Sequence, residues 1–168
     1  SPKGALDLIR AIVEWRKHRS GKLTSPFAEA GGFVKSAPDI DRPDLQYHFV
    51  VGIVEDHNRK LQFGHGFSCH VCVLRPKSRG RVTLASSDPL AKPEIDMGFF
   101  TERADMDLMI KGVRGMRRVL EAPALKPWRK KELYTTGNES DAELEQIIRN
   151  KADTVYHPVG TCRMGSDD

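Results

Sequence analysis

The sequence predicts an α+β fold, an antiparallel or mixed sheet packed against helices. Three observations lead there. Residues 45–54 alternate apolar and polar side chains at period two, the signature of a half-buried strand. Residues 4–18 and about 104–121 repeat apolar side chains at steps of three and four, which marks one face of a helix. The strand-like runs follow one another through turns, without the strand–helix–strand alternation that builds a parallel nucleotide-binding sheet.

In chain order, Ala5, Leu8, Ile9, Ile12 and Trp15 form the apolar face of the first helix, which stops before Ser20-Gly21-Lys22. Pro26 to Gly32 has the turn-forming and small residues of a loop able to line a cavity, and Phe33-Val34-Lys35 begins a strand. Leu45, Tyr47, Phe49, Val51 and Ile53 share one face of the next strand, and Glu55 to Lys60 is a polar connection. Residues 69–74 read as a second long strand. Pro76 to Gly80 reads as the turn of a hairpin leading into Arg81-Val82-Thr83-Leu84-Ala85, and Pro93 to Met97 as a short edge strand. Met106, Met109, Ile110, Val113, Met116 and Leu120 then form a core-facing helical stripe ended by Ala122-Pro123. Ser140-Asp141-Ala142-Glu143 is a capping box that opens a third helix, with Leu144, Ile147 and Ile148 inward, running to about Lys151.

A chain of 168 residues is expected to form a single domain, residues 1–168, large enough to bury a core without staples. No apolar run approaches the roughly 20 residues of a transmembrane helix, and the expected location is the cytoplasm, with peripheral membrane contact left open. Neither end has the look of a natural terminus, since Ser1 is not an initiator Met and the chain stops just after a motif. The formal charge of +4 is spread among 27 basic and 23 acidic residues, so the short cluster Lys126-Pro127-Trp128-Arg129-Lys130-Lys131 reads as a solvated face, with no nucleic-acid partner expected. Cys69-His70-Val71-Cys72 has metal-like spacing with His65 nearby, but a strand points Cys69 and Cys72 to opposite faces and no second half-site completes a shell. Strand thiols and no metal are expected, and elemental analysis would expose a zinc site.

The densest chemistry lies at Asp153 to Gly165. An imidazole exchanges protons near neutral pH, and Pro158 biases His157 toward an extended backbone, while Gly160 and Gly165 permit turns or close approach to a flat partner. Spacing alone leaves two readings, a titrating site group or a histidine that merely ends a helix. No Ser, Asp or Glu completes a triad at a readable spacing, and neither G-x-G-x-x-G after a strand nor G-x-x-x-x-G-K-[ST] occurs.

Tyr156-His157-Pro158-Val159-Gly160-Thr161-Cys162-Arg163-Met164-Gly165, after an acidic helix ending in Ala152-Asp153-Thr154, closely resembles the carboxy-terminal region of the glucose-methanol-choline oxidoreductases. His65-Gly66-Phe67-Ser68-Cys69-His70-Val71, Arg75-Pro76-Lys77-Ser78-Arg79-Gly80 and Pro43-Asp44-Leu45-Gln46-Tyr47-His48-Phe49 are similar to that family's bacterial alcohol and choline dehydrogenase branch. The resemblance implies the substrate domain of an enzyme that oxidises an alcohol on FAD, partnered by an FAD-binding domain of the same parent chain. It assigns His157 as acceptor of the alcohol proton and Tyr156 and Val155 to the pocket, with Tyr47 or Phe49 in its wall. The family's Rossmann glycines and the later segment supplying a partner for the catalytic histidine are absent from this sequence, so this stretch alone is expected neither to hold FAD nor to turn over. A freestanding, non-catalytic binding module of the same fold is the alternative.

Overall fold

The computed structural model describes residues 2–54, 64–157, 159, 160 and 164–166. The expected polar connection at Glu55 to Lys60 and the motif residues Pro158, Thr161, Cys162 and Arg163 lie outside the described residues. The elements are α1 (Pro2–His18), β1 (Ala28–Val34), β2 (Leu45–Val50), β3 (Ser68–Val73), β4 (Arg81–Thr83), β5 (Glu94–Asp96), α2 (Arg103–Leu120) and α3 (Asp141–Lys151). The chain forms two compact units, one of residues 1–32 and 47–70 and the other of residues 33–46 and 71–168, with the boundary falling inside the first three strands. The expected α+β class holds.

In the first unit, α1 is amphipathic as its spacing predicts, yet Leu8, Ile9, Ile12 and Trp15 are all exposed and Ala11 is buried. The helix ends where Arg19 takes a positive φ of 52° and lays its guanidinium 4.5 Å from the Trp15 ring centre. The expected loop at Pro26 to Gly32 is mostly strand. Just before that strand Phe27 O accepts from Val51 N (2.9 Å), and at its last residue Val34 O accepts from Asp44 N (3.1 Å), an antiparallel register. A Cβ on Gly31 would lie 2.8 Å from the Tyr47 carbonyl oxygen, so the small residues that suggest a loop are what let this strand approach its neighbour. The sheet order is β1-β2-β3, with β2 central.

The second unit corrects another expectation. Pro76 to Gly80 does not return β3 onto β4; instead β4 pairs antiparallel with β5, matching Arg81 with Asp96 and Thr83 with Glu94. The reason is a latch on α2. The Asp105 carboxylate accepts from Lys77 N (2.9 Å) and Ser78 N (2.7 Å), which fixes the turn to the start of the helix. Burial by itself would raise this carboxyl's pKa, but hydrogen bonds from Ser78 and Lys77 outweigh it and hold the value below the ordinary one.

The core of this unit lies between α2 and α3. Met106 and Leu144 are fully buried and Ile110 and Ile148 nearly so, with Phe100, Met109 and Val113 packed around them. The methionine stripe therefore faces the core, as its spacing predicts. The opposite side of α2 meets Leu45 and Val71 at Gly112, where a Cβ would stand 2.8 Å from Val71 Cγ2 and 3.0 Å from Leu45 Cδ2. Gly112→Ala should destabilise the protein by about 1–3 kcal/mol, because the overpacking cost exceeds the gain in helix propensity. Thermal unfolding of the variant checks this, and an unchanged or higher midpoint would contradict the tight approach.

Candidate active site

The segment that carries His157 is set by α3. Ser140 Oγ accepts from Glu143 N (3.3 Å) while Ser140 N donates to Glu143 Oε2 (2.8 Å), so the capping box read from the sequence is present. Arg114 on α2 pairs with Asp141 at 2.6 Å, and Arg103 bonds Glu145. These exposed pairs orient α3 more than they stabilise it.

The loop before α3 is organised by Glu139. Its carboxylate accepts from the Thr136 backbone and hydroxyl and from Gly137 N, and it pairs with the buried guanidinium of Arg117 at 3.0 Å. The Thr136 backbone hydrogen bond is the largest influence on this carboxyl, and with the help of Arg117 it lowers the pKa from 4.5 to about 2. A carboxyl depressed in the folded state stabilises the fold while ionised. Its contribution is complete above pH about 4.5 and is lost as pH falls through about 2. Thermal melts across that window should show the stability gap between wild type and Glu139→Gln narrowing with acid; a pH-independent gap would contradict the assignment.

At its other end α3 stops at Ala152, which turns extended at φ −67° and ψ 137° while its N–H still donates to Ile148 O (2.7 Å). Two side chains then shape the exit. Asp153 Oδ1 accepts from Thr154 N (2.7 Å) and Thr154 Oγ1 accepts from Tyr156 N (2.9 Å). Tyr156 takes a positive φ of 65°, an uncommon conformation for a bulky residue and one that clusters at functional sites. His157 follows at once and is exposed, as are Val155, Tyr156, Val159 and Met164, the last two at 93% and 95%. The histidine thus belongs to an exposed stretch that follows a helix whose own apolar face is locked in the core.

Of the residues assigned from the resemblance, Val155, Tyr156 and His157 come together as this one segment of the second unit. Tyr47 and Phe49 belong to the first unit, on one face of β2. Tyr47 is buried there, and the half-buried Phe49 ring lies 5.3 Å from that of Phe67. Cys69 and Cys72 are half-buried free thiols on β3, and burial raises both pKa values. Among the described residues no group of three His, Cys, Asp or Glu side chains could hold a metal ion. Sequence reasoning missed the Asp153 and Thr154 turn that sets the histidine's backbone, although Asp and Thr just after a helix were a visible signal. It also missed Asp105, whose partners lie 27 and 28 residues away and leave no local trace.

The family model described as GMC oxidoreductase matches residues 76–168, which include the whole His157 segment. The chain belongs to the GMC oxidoreductase family. The GMC chain is 44% identical over 167 residues to an alcohol dehydrogenase [acceptor] of Pseudomonas putida, covering 99% of this chain and 30% of that protein. It is 38% identical over 157 residues to an oxygen-dependent choline dehydrogenase of Klebsiella pneumoniae, covering 93% of this chain and 28% of the relative. Among solved structures, formate oxidase of Aspergillus oryzae, studied for its FAD modification, superposes with a TM-score of 0.77 at 23% identity, over 92% of this chain and 32% of that one. Pyridoxine 4-oxidase of Mesorbium loti gives 0.74 at 25% identity, over 84% and 28%. The GMC chain therefore spans about three-tenths of the length of these proteins.

Proposed function

We propose that this chain, residues 1–168, is the substrate domain of an FAD-dependent oxidoreductase acting on the CH–OH group of an alcohol, with His157 as the group that accepts the hydroxyl proton. The observation that carries the reading is the exposed His157 on a backbone fixed from α3 through Thr154, inside the stretch that matches the GMC family. The names of the alcohol and choline dehydrogenases to which the chain is similar support the substrate class, and formate oxidase supports FAD.

The residues present fit one side of such a cofactor. Val155 and Tyr156, just before His157 in the chain, offer exposed apolar surface, which suits the face and edge of a flat ring system. The pyrophosphate has no comparable seat on α2 or α3. Asp105 stands in the first turn of α2, and Asp141 and Glu143 in that of α3, so an anion at either amino terminus would meet negative charge already fixed there. On this reading the nucleotide is held by an FAD-binding domain of the same parent chain, in the cytoplasm.

When bound, FAD supplies the hydride acceptor for the alcohol carbon. The protein's part is positioning and proton transfer. An unprotonated nitrogen of His157 accepts a hydrogen bond from the substrate hydroxyl and takes its proton as the C–H bond is broken. The capping box, the Arg114 pair and the two side-chain turns fix the backbone that leads into His157, which limits the directions its imidazole can take. Val155 and Tyr156 line the alcohol's approach. The full-length protein should purify with bound FAD that a primary alcohol bleaches under anaerobic conditions. A preparation that takes up no flavin, or a flavin that no alcohol reduces, would count against the reading.

A further inference from the structure

We propose that the turn following α2, residues 126–134, is a docking surface for an anionic lipid membrane, with Trp128 as the interfacial anchor and Lys126, Lys130 and Lys131 as its cationic rim. The inference does not rest on the proposed activity. Trp128 is 77% exposed, far more open than an indole seated within its own fold. It is nevertheless held firmly. Trp128 N and Arg129 N both donate to Leu125 O, at 3.0 and 3.1 Å, and Arg129 Nη1 donates to Leu120 O at 3.1 Å, so the turn is pinned to the end of α2. Leu133 and Tyr134 beside it are also exposed.

The charges around the indole are unbalanced. Lys126, Lys130 and Lys131 are exposed and make no ion pair among the described residues. The acid nearest in sequence, Glu132, is exposed but already paired with Arg117 at 3.2 Å and bonded to Thr135. Arg118 adds a further exposed cation, and Glu121 is the remaining exposed acid close by in sequence. An amphipathic ring ringed by unpaired lysines suits the headgroup layer of a membrane. There the indole partitions to the interface and each lysine gains from the negative surface potential. Among the described residues no helix is long and apolar enough to cross a membrane, so the contact would be peripheral.

Co-sedimentation of the full-length protein with vesicles tests this. Wild type should bind vesicles containing phosphatidylserine, release them as salt rises, and ignore pure phosphatidylcholine. The triple variant Lys126→Glu, Lys130→Glu, Lys131→Glu should bind on the order of 100-fold more weakly, and Trp128→Ser about tenfold more weakly. A neutral triple Lys→Gln variant, with its circular dichroism unchanged, guards against misfolding and should also lose binding. Absence of wild-type binding to anionic vesicles, as expected if the patch serves an acidic protein, would overturn the proposal. So would variants that bind like wild type.

Discussion

His157→Ala in the full-length protein should lower kcat for a primary alcohol by roughly 10²–10⁴-fold, the usual worth of a well-placed proton acceptor. The expectation follows from the geometry of the segment. The histidine is carried on a chain direction fixed by Ala152 N to Ile148 O, Thr154 N to Asp153 and Tyr156 N to Thr154. An alanine there removes the imidazole without disturbing a packed side chain, since the position is exposed. The loss should therefore fall on turnover, with folding and melting temperature unchanged. His157→Gln keeps a hydrogen-bonding side chain but cannot act as a base at neutral pH, so it should resemble alanine in rate. If glutamine restored most of the activity, His157 would be a positioning group and the proton would leave by another route.

Leu144→Ala should cost about 2–5 kcal/mol of stability, the largest effect expected from a core truncation here. Leu144 is fully buried, in the same cluster as Met106, Ile110 and Ile148. Deleting its side chain opens a cavity between two helices whose spacing is also set by Met106, Ile110 and Ile148, so they cannot easily collapse to fill it. The cost also reaches the site, because α3 is the stalk of the His157 segment. Chemical denaturation should show a lower midpoint with little change in slope. A loss below about 1 kcal/mol would mean that the interface between α2 and α3 relaxes freely, and that it is a weaker anchor than its burial implies.

How much of this was legible in the sequence depends on how local each cause is. The Met106 to Leu120 stripe, the Ser140 capping box and the Leu45 to Val50 strand were readable, because periodicity and capping depend on neighbours within a few residues. Strand β1 was not, since its glycines suit a loop equally well, and only the nearby Tyr47 carbonyl explains Gly31. The pairing of β4 with β5 was hidden for a related reason. The turn at Lys77 and Ser78 looks like a hairpin until Asp105, far along the chain, captures it. The face of α1 was readable as amphipathic, but its exposure was not, because periodicity says which residues share a face and nothing about what meets it. At the site, His157 stood out through its motif, while the turns at Asp153 and Thr154 that set its backbone depend on side-chain hydrogen bonds that the fold alone reveals. Tyr47 and Phe49 could be placed on one strand face from the sequence, yet their part in a pocket wall still rests on the resemblance.

The most direct measurement is anaerobic stopped-flow mixing of the flavin-loaded full-length protein with a primary alcohol, following loss of the oxidised flavin absorbance in wild type and His157→Gln. The account predicts rapid bleaching in the wild type and bleaching slower by roughly 10²–10⁴-fold in the variant, with equal flavin content in both. Equal bleaching rates in the two proteins would contradict it.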